Sequence, residues 1–78
     1  MALILDTGPV YASLDRSDAD HAVCRDLIES TSEPLVIPAP VLVELDYWVH
    51  ARLHAGVWTA FLEDIIVGAY RIEELRSD

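Results

Sequence analysis

Lysine is absent from this chain. Its five basic residues are all arginine, and they are outnumbered by 14 aspartates and glutamates. The formal net charge is −9 at pH 7, and such a charge repels polyanions, because nucleic-acid affinity depends largely on Lys and Arg at phosphates. Any nucleic-acid role therefore requires bound cations or basic residues from another source. An acidic chain is more directly suited to binding a divalent metal or a basic protein segment.

Cysteine and long apolar runs are also scarce. Cys24 is the single cysteine, so no internal disulfide can form and the sequence gives no sign of an oxidising compartment. Asp6 interrupts the first apolar run, and no basic segment precedes that run, which is not typical of a signal peptide. No apolar stretch approaches the roughly 18 residues that a membrane span needs. We therefore expect a cytoplasmic protein with no membrane association.

The chain is short but rich in apolar residues. Its 78 residues allow one domain, and a chain of this size buries only about 60% of the surface that its unfolded form exposes. Yet 53% of the residues are hydrophobic. This combination indicates part of a larger core, or a surface that binds a partner.

Hydrophobic patterning predicts an α/β fold. Apolar or alternating segments predict three strands, at residues 2–5, 35–37 and 69–75. Helical periodicity predicts four helices, at residues 9–14, 17–30, 38–54 and 57–67. Strands joined through helical connections pair in parallel, so we expect a parallel sheet flanked by helices.

Finer expectations follow from the same patterns. The strand at residues 2–5 is continuously apolar, which is typical of a strand buried on both faces. Ser17 is a candidate N-cap of the second helix, and Gly56 a candidate C-cap of the third. Periodicity places Leu27 on the buried side of the second helix and Ile66 on that of the fourth.

Two carboxylates fall at the same predicted edge of this sheet. Asp6 follows the first strand at its carboxyl end, where sites form in open parallel sheets. Taken alone, Asp6 fits equally well as a turn or helix-capping residue. Glu44 lies about one turn inside the helix that leaves the second strand, although a solvated helix flank is the commoner place for a helical Glu.

A shared cation would explain this pair. Two carboxylates at one edge repel each other unless a positive charge lies between them, and Mg²⁺ or Mn²⁺ takes oxygen ligands while keeping several waters. Asp46 is about 200° around the helix from Glu44, so we expect it to be a surface charge or an ion-pair partner. Asp15, Asp18 and Asp20 are interpreted as turn and helix-start residues.

The segments LILDTGPVYASLDRSDADH, PLVIPAPVLVELDYWV and AYRIEEL resemble the N-terminal half of PIN-domain proteins. The resemblance covers nearly all 78 residues and is greatest to the VapC-like toxins of bacterial type II toxin–antitoxin pairs. It implies a PIN-like α/β fold and a metal-dependent endoribonuclease. Asp6 and Glu44 match the family's catalytic metal ligands for Mg²⁺ or Mn²⁺, and Thr7 matches a supporting hydroxyl position. The metal would activate a water for attack on an RNA phosphodiester.

The chain departs from the family in its length. PIN domains supply further aspartates from a later strand and helix, whereas Glu73, Glu74 and Asp78 come too early to replace them. We therefore expect residues 1–78 to form one PIN-like domain, truncated before the later acidic residues, that binds metal weakly and cleaves poorly or not at all alone. The chain is then either a truncated half, whose partner is a complementary C-terminal fragment, or a degenerate fragment. The partners that the resemblance implies are an RNA substrate, a cognate antitoxin and a second copy in a homodimer.

Other functions remain open from the sequence. A second hypothesis is a non-catalytic scaffold half that binds a partner through exposed helices. The strand followed by DTG also matches aspartic proteases, although that fold is nearly all β. His50 and His54, and His21 and Cys24, have the spacing of zinc half-sites, but a solvated or core-edge position is the more frequent role of such pairs.

The aromatic side chains have two possible roles. They could form an RNA-stacking surface, but their helical spacing favours core packing or an apolar contact surface. The residues concerned are Tyr47, Trp48, Trp58 and Phe61.

Overall fold

The protein contains a three-stranded parallel sheet, which a computed structural model describes for residues 1–74. The strands are β1 (Leu3–Ile4), β2 (Leu35–Pro38) and β3 (Arg71–Glu73), in the order β1-β2-β3. Leu3 pairs with Leu35, and Ile37 pairs with Ile72. The strand predicted at residues 69–75 is therefore shorter, and Leu75 lies outside the described residues.

Four helices connect these strands. They are α1 (Thr7–Leu14), α2 (His21–Ser30), α3 (Ala39–Arg52) and α4 (Ala55–Ile66). Two helices follow β1 and two follow β2, so each parallel pairing is made through a helical connection. The predicted α/β class, with a parallel sheet flanked by helices, is confirmed.

The core forms between the central strand and the helices. Leu35, Val36 and Ile37 are all buried, and because successive strand residues point to opposite faces, both faces of β2 are covered. Leu45 of α3 and Phe61 of α4 are each almost completely buried. The rest of the main core cluster comprises Leu5, Val10, Val41 and Tyr70.

Several side chains predicted to be buried are exposed instead. Ile4 is 67% exposed, so the expectation that the first strand is buried on both faces is wrong. The reason is that no helix within residues 1–74 covers the face of β1 that carries Ile4, and β1 also lies at the edge of the sheet. Leu27 and Ile66 are also exposed, because α2 has no fully buried residue and α4 fully buries only Phe61.

Helix boundaries differ from the predicted ones where side chains cap the backbone. Helix α1 begins at Thr7 rather than residue 9, because Asp6 caps it. Ser17 is not the N-cap of α2, because its backbone N–H and its hydroxyl both donate to Asp15 Oδ1 in the preceding turn. Asp20 occupies the cap position, without a capping hydrogen bond from its side chain.

The third helix ends earlier than predicted. It ends at Arg52, and Gly56 lies in the first turn of α4 instead of capping α3. The cause is His54, whose Nδ1 accepts a hydrogen bond from the Gly56 N–H at 2.9 Å and so caps the start of α4. In the described part of the chain, no helix combines the length and the apolar character needed to cross a membrane.

Candidate metal centre

Asp6 lies at the carboxyl end of β1 and caps the helix that follows. Its backbone is extended, and its Oδ1 accepts a hydrogen bond from the Thr7 N–H at 2.8 Å. The capping role that the sequence left open is therefore real. It occupies one oxygen of an exposed carboxylate, so capping and binding a cation are compatible at this side chain.

Glu44 reaches the same edge from α3. The Thr7 hydroxyl donates a hydrogen bond to Glu44 Oε1 at 3.0 Å, across 37 residues of sequence. Thr7 thus contacts both carboxylates, Asp6 through its backbone N–H and Glu44 through its side chain. The structure therefore brings the three predicted site residues together at one end of the sheet, because parallel strands direct their carboxyl ends to the same edge.

The donor set has the chemistry that a hard divalent cation requires. Two carboxylates and a hydroxyl supply only oxygen, and Mg²⁺ commonly binds one or two protein carboxylates and keeps several waters. Residues 1–74 contain no group of three or more His, Cys, Asp or Glu side chains arranged to hold a metal. The residues present thus fit a partly hydrated Mg²⁺ or Mn²⁺, and they do not form a closed all-protein cage.

The other acidic residues near these elements have partners of their own. Asp46 Oδ1 lies 2.8 Å from His50 Nδ1 on the next turn of α3, so Asp46 is the surface pair member that we expected. Asp15 accepts hydrogen bonds from Ser17 and from the Tyr11 hydroxyl. These bonds, those from Ser17 first, lower the pKa of the Asp15 carboxyl below its ordinary value.

The histidines also have structural roles. His21 Nδ1 lies 2.8 Å from the carbonyl oxygen of Ala12, which ties the start of α2 to α1. His54 caps α4, and His50 pairs with Asp46. The zinc half-sites considered from the sequence therefore do not form a ligand cluster within the described residues. Similarly, a helix begins directly at Thr7 of the DTG segment, which removes the nearly all-β aspartic protease alternative.

A cavity near the acidic pair was not predicted from the sequence. This cavity of about 170 Å³ is lined by Thr7, Gly8, Tyr11, Trp48 and Arg52. The Arg52 guanidinium carbon lies 4.5 Å from the centre of the Trp48 ring, which is cation–π geometry. The signal in the sequence was the spacing of four residues from Glu44 to Trp48 and again to Arg52, which places all three on one helix face.

Comparison with known proteins finds similarity to a ribonuclease. The chain is 33% identical over 70 residues to Ribonuclease VapC26 of Mycobacterium tuberculosis (strain ATCC 25618 / H37Rv). The alignment covers 90% of this chain and 52% of the relative, so the chain spans about half the length of the curated protein that it matches. No protein-family model matches the chain.

Proposed function

This chain is a VapC-like sequence of the PIN-domain family, and on that premise we propose that it is part of a metal-dependent endoribonuclease toxin. The observation that carries the proposal is the hydrogen bond from Thr7 to Glu44, which joins the helix after β1 to the helix after β2 beside Asp6. The relative is named a ribonuclease. Ribonuclease activity of a protein containing the present chain is our inference.

In this proposal Asp6 and Glu44 hold Mg²⁺ or Mn²⁺, and Thr7 orients Glu44. A divalent cation bound there would lower the pKa of a bound water and offset charge on the leaving oxygen of an RNA phosphodiester. The chain's own residues position the two carboxylates. The Asp6 cap fixes the start of α1, and Thr7, the first residue of α1, then holds one Glu44 oxygen by a hydrogen bond.

The rest of the family's acidic cluster lies outside what this chain provides. We propose that residues 1–78 correspond to the N-terminal part of a PIN-like domain, and that a complementary C-terminal segment supplies the remaining carboxylates. The half-length match to the ribonuclease supports this proposal. The same reasoning predicts that the isolated chain binds metal weakly and has little activity.

We further propose a cytoplasmic toxin that acts on RNA, forms a homodimer and is restrained by a cognate antitoxin. Exposed apolar side chains at the end of α4 support a protein partner, since Ile66 is 82% and Val67 79% exposed. The net charge of −9 suits a partner that brings basic side chains to the acidic edge.

Cleavage by the complete protein tests the enzymatic proposal. Asp6→Asn and Glu44→Gln each remove a negative charge with little change in shape, and we expect both to reduce RNA cleavage by 100-fold or more, on the order of the loss that follows removal of a key electrostatic group. Asp46→Asn is the matched control, because Asp46 is on the same helix but pairs with His50. Undiminished cleavage by Asp6→Asn or Glu44→Gln would remove that residue from the mechanism.

A non-catalytic scaffold is the second candidate, favoured by the small number of carboxylates at the edge and by the exposed apolar end of α4. Titration of Mn²⁺ into the chain separates the two candidates. Binding that requires Asp6 and Glu44 supports the nuclease, whereas no binding together with tight association to a protein partner supports the scaffold.

A further inference from the structure

A row of side chains leads away from the candidate metal centre along α3. Glu44, Trp48 and Arg52 are spaced by four residues, so each lies about 6 Å farther along the helix than the one before. On α1, Thr7 and Tyr11 have the same spacing and face this row, since Thr7 bonds to Glu44 and Tyr11 lines one cavity with Trp48 and Arg52. The two helices thus frame a groove that begins at the acidic pair.

Trp48 and Arg52 line the far part of this groove, and together with the neighbouring Tyr47 they form what we call the aromatic ledge. The rings of Tyr47 and Trp48 meet edge to face with centres 5.0 Å apart, and Arg52 lies over the Trp48 ring. Tyr47 is 65% exposed and Trp48 is half-buried, so neither ring is enclosed by the core. By contrast, Trp58 packs against Phe61 with ring centres 5.7 Å apart.

Arg52 is the basic residue that lines the groove beside the acidic pair. Among residues 1–74, Arg25 forms an ion pair with Glu29, whereas no carboxylate lies within ion-pairing distance of Arg52. Arg52 lies beside the Tyr11 hydroxyl, which donates a hydrogen bond to Asp15. Its positive charge thus has no direct carboxylate partner within residues 1–74, and it lies at one end of a groove whose other end carries Glu44 and Asp6. In a protein of net charge −9, an incoming phosphate meets repulsion at most surfaces and attraction at this guanidinium.

We propose that the aromatic ledge is a nucleotide-binding subsite for single-stranded RNA, in which a base stacks on Trp48, on the side that Arg52 does not cover and beside the Tyr47 ring, and a phosphate contacts Arg52. Aromatic rings and guanidinium planes are the surfaces on which proteins stack unpaired bases, and Arg is suited to phosphate recognition. This inference rests on the proposed function and adds to it a substrate-positioning role. A nucleotide held there lies one to two helical turns from Glu44.

Tryptophan fluorescence tests the proposal, because the chain has only two tryptophans. The Trp58→Phe variant reports Trp48 alone, and Trp48→Phe reports Trp58 alone. The probe is uridine 5′-monophosphate, which has a base and a phosphate but no internucleotide bond, so cleavage does not affect the measurement. We expect the probe to quench Trp48 in a saturable manner and to leave Trp58 unchanged. Equal quenching of both, or of neither, would overturn the proposal.

Arg52 is tested in the protein that retains Trp48 alone. Arg52→Gln should weaken binding of the monophosphate about 10-fold or more, the loss expected for a hydrogen bond to a charged group. Arg71→Gln, which makes the same charge change on β3, should weaken it less than about twofold. Uridine without the phosphate should bind the protein that retains Trp48 alone and its Arg52→Gln variant alike. Equal effects of the two Arg substitutions would contradict the phosphate contact.

Two further outcomes separate this proposal from others. Binding of inorganic phosphate at Arg52 without quenching of Trp48 by the nucleotide would mean an anion site and would overturn the nucleotide assignment. Cleavage that persists in Glu44→Gln removes the proposed metal mechanism, whereas unquenched Trp48 removes only the subsite. Failure of the proposed metal mechanism is thus distinguishable from failure of the nucleotide-binding subsite.

Discussion

The hydrogen bond between Thr7 and Glu44 is measurable as a coupling between two distant parts of the chain. Thr7→Val replaces the hydroxyl with a methyl group of similar size, and Glu44→Ala removes the acceptor while keeping a good helix former in α3. Combining the two in a double-mutant cycle isolates the pairwise contribution from the effect of each substitution. The pair suits this design because its members are 37 residues apart and lie on different helices.

The expected magnitude follows from the exposure of the two groups. A hydrogen bond to a charged group contributes roughly 1.5–3 kcal/mol to stability. Water competes here, since Thr7 is half-buried and Glu44 is exposed, so we expect a coupling free energy of about 1 kcal/mol. For a domain of this size, a loss of about 1 kcal/mol lowers Tm by about 4–8 °C.

Urea unfolding followed by far-ultraviolet circular dichroism, in a buffer that contains a metal chelator, measures this coupling. Thr59→Val on α4 is the matched control, because the Thr59 hydroxyl bonds only to the Ala55 carbonyl of its own helix, at 3.4 Å. We expect Thr7→Val to lower the free energy of unfolding more than Thr59→Val does. In the Glu44→Ala background, this additional loss of stability should disappear. Strictly additive effects of Thr7→Val and Glu44→Ala would refute the link between the two helices.

Three further predictions concern stability. Hydrogen bonds, those from Ser17 first, lower the pKa of Asp15 below 3.8, so this carboxylate stabilises the fold above that pH. The stability gap between the unsubstituted protein and Asp15→Asn should therefore narrow as pH falls through the lowered pKa, and a constant gap in acid unfolding curves would contradict this. Phe61→Ala should cost about 3–5 kcal/mol in urea unfolding, a large part of the roughly 4–12 kcal/mol expected for the whole domain; a cost below about 1 kcal/mol would mean that the ring is not in a packed core. Gly68→Ala should cost about 1 kcal/mol, because Gly68 has φ of +90°. Gly8→Ala in α1 should instead be neutral or stabilising, so equal losses in these two variants would count against the backbone argument.

Much of the architecture follows from the sequence because it depends on runs of apolar residues. The segments around Leu3, Val36 and Ile72 are short, apolar and separated by helical periodicity, and they form the parallel sheet. The shared edge of Asp6 and Glu44 follows from the same topology. The residue that joins them, Thr7, was predicted only as a supporting group, since a hydrogen bond across 37 residues depends on the side-chain placement of two helices.

The incorrect predictions of helix boundaries and of burial have two different physical causes. Local capping by side chains moved the helix boundaries, as at His54, whose ring caps α4 and places Gly56 inside that helix. Burial depends on what covers a residue, and hydrophobicity does not reveal this, so Ile4 and Ile66 are apolar but exposed. The aromatic ledge could not be predicted for a related reason, because helical spacing alone does not separate Trp48 at the groove from Trp58, which packs against the core.

The central claim is that Asp6 and Glu44 bind one divalent cation, and paramagnetic broadening by Mn²⁺ in NMR spectra of the labelled chain tests it most directly, even where binding is weak. We predict that substoichiometric Mn²⁺ first broadens the amide signals of Asp6, Thr7 and Glu44 together, and that Glu44→Gln abolishes this selectivity while Asp46→Asn preserves it. Broadening centred on the Asp15–Asp20 turn, with the signals of Asp6 and Glu44 unaffected, would contradict the account.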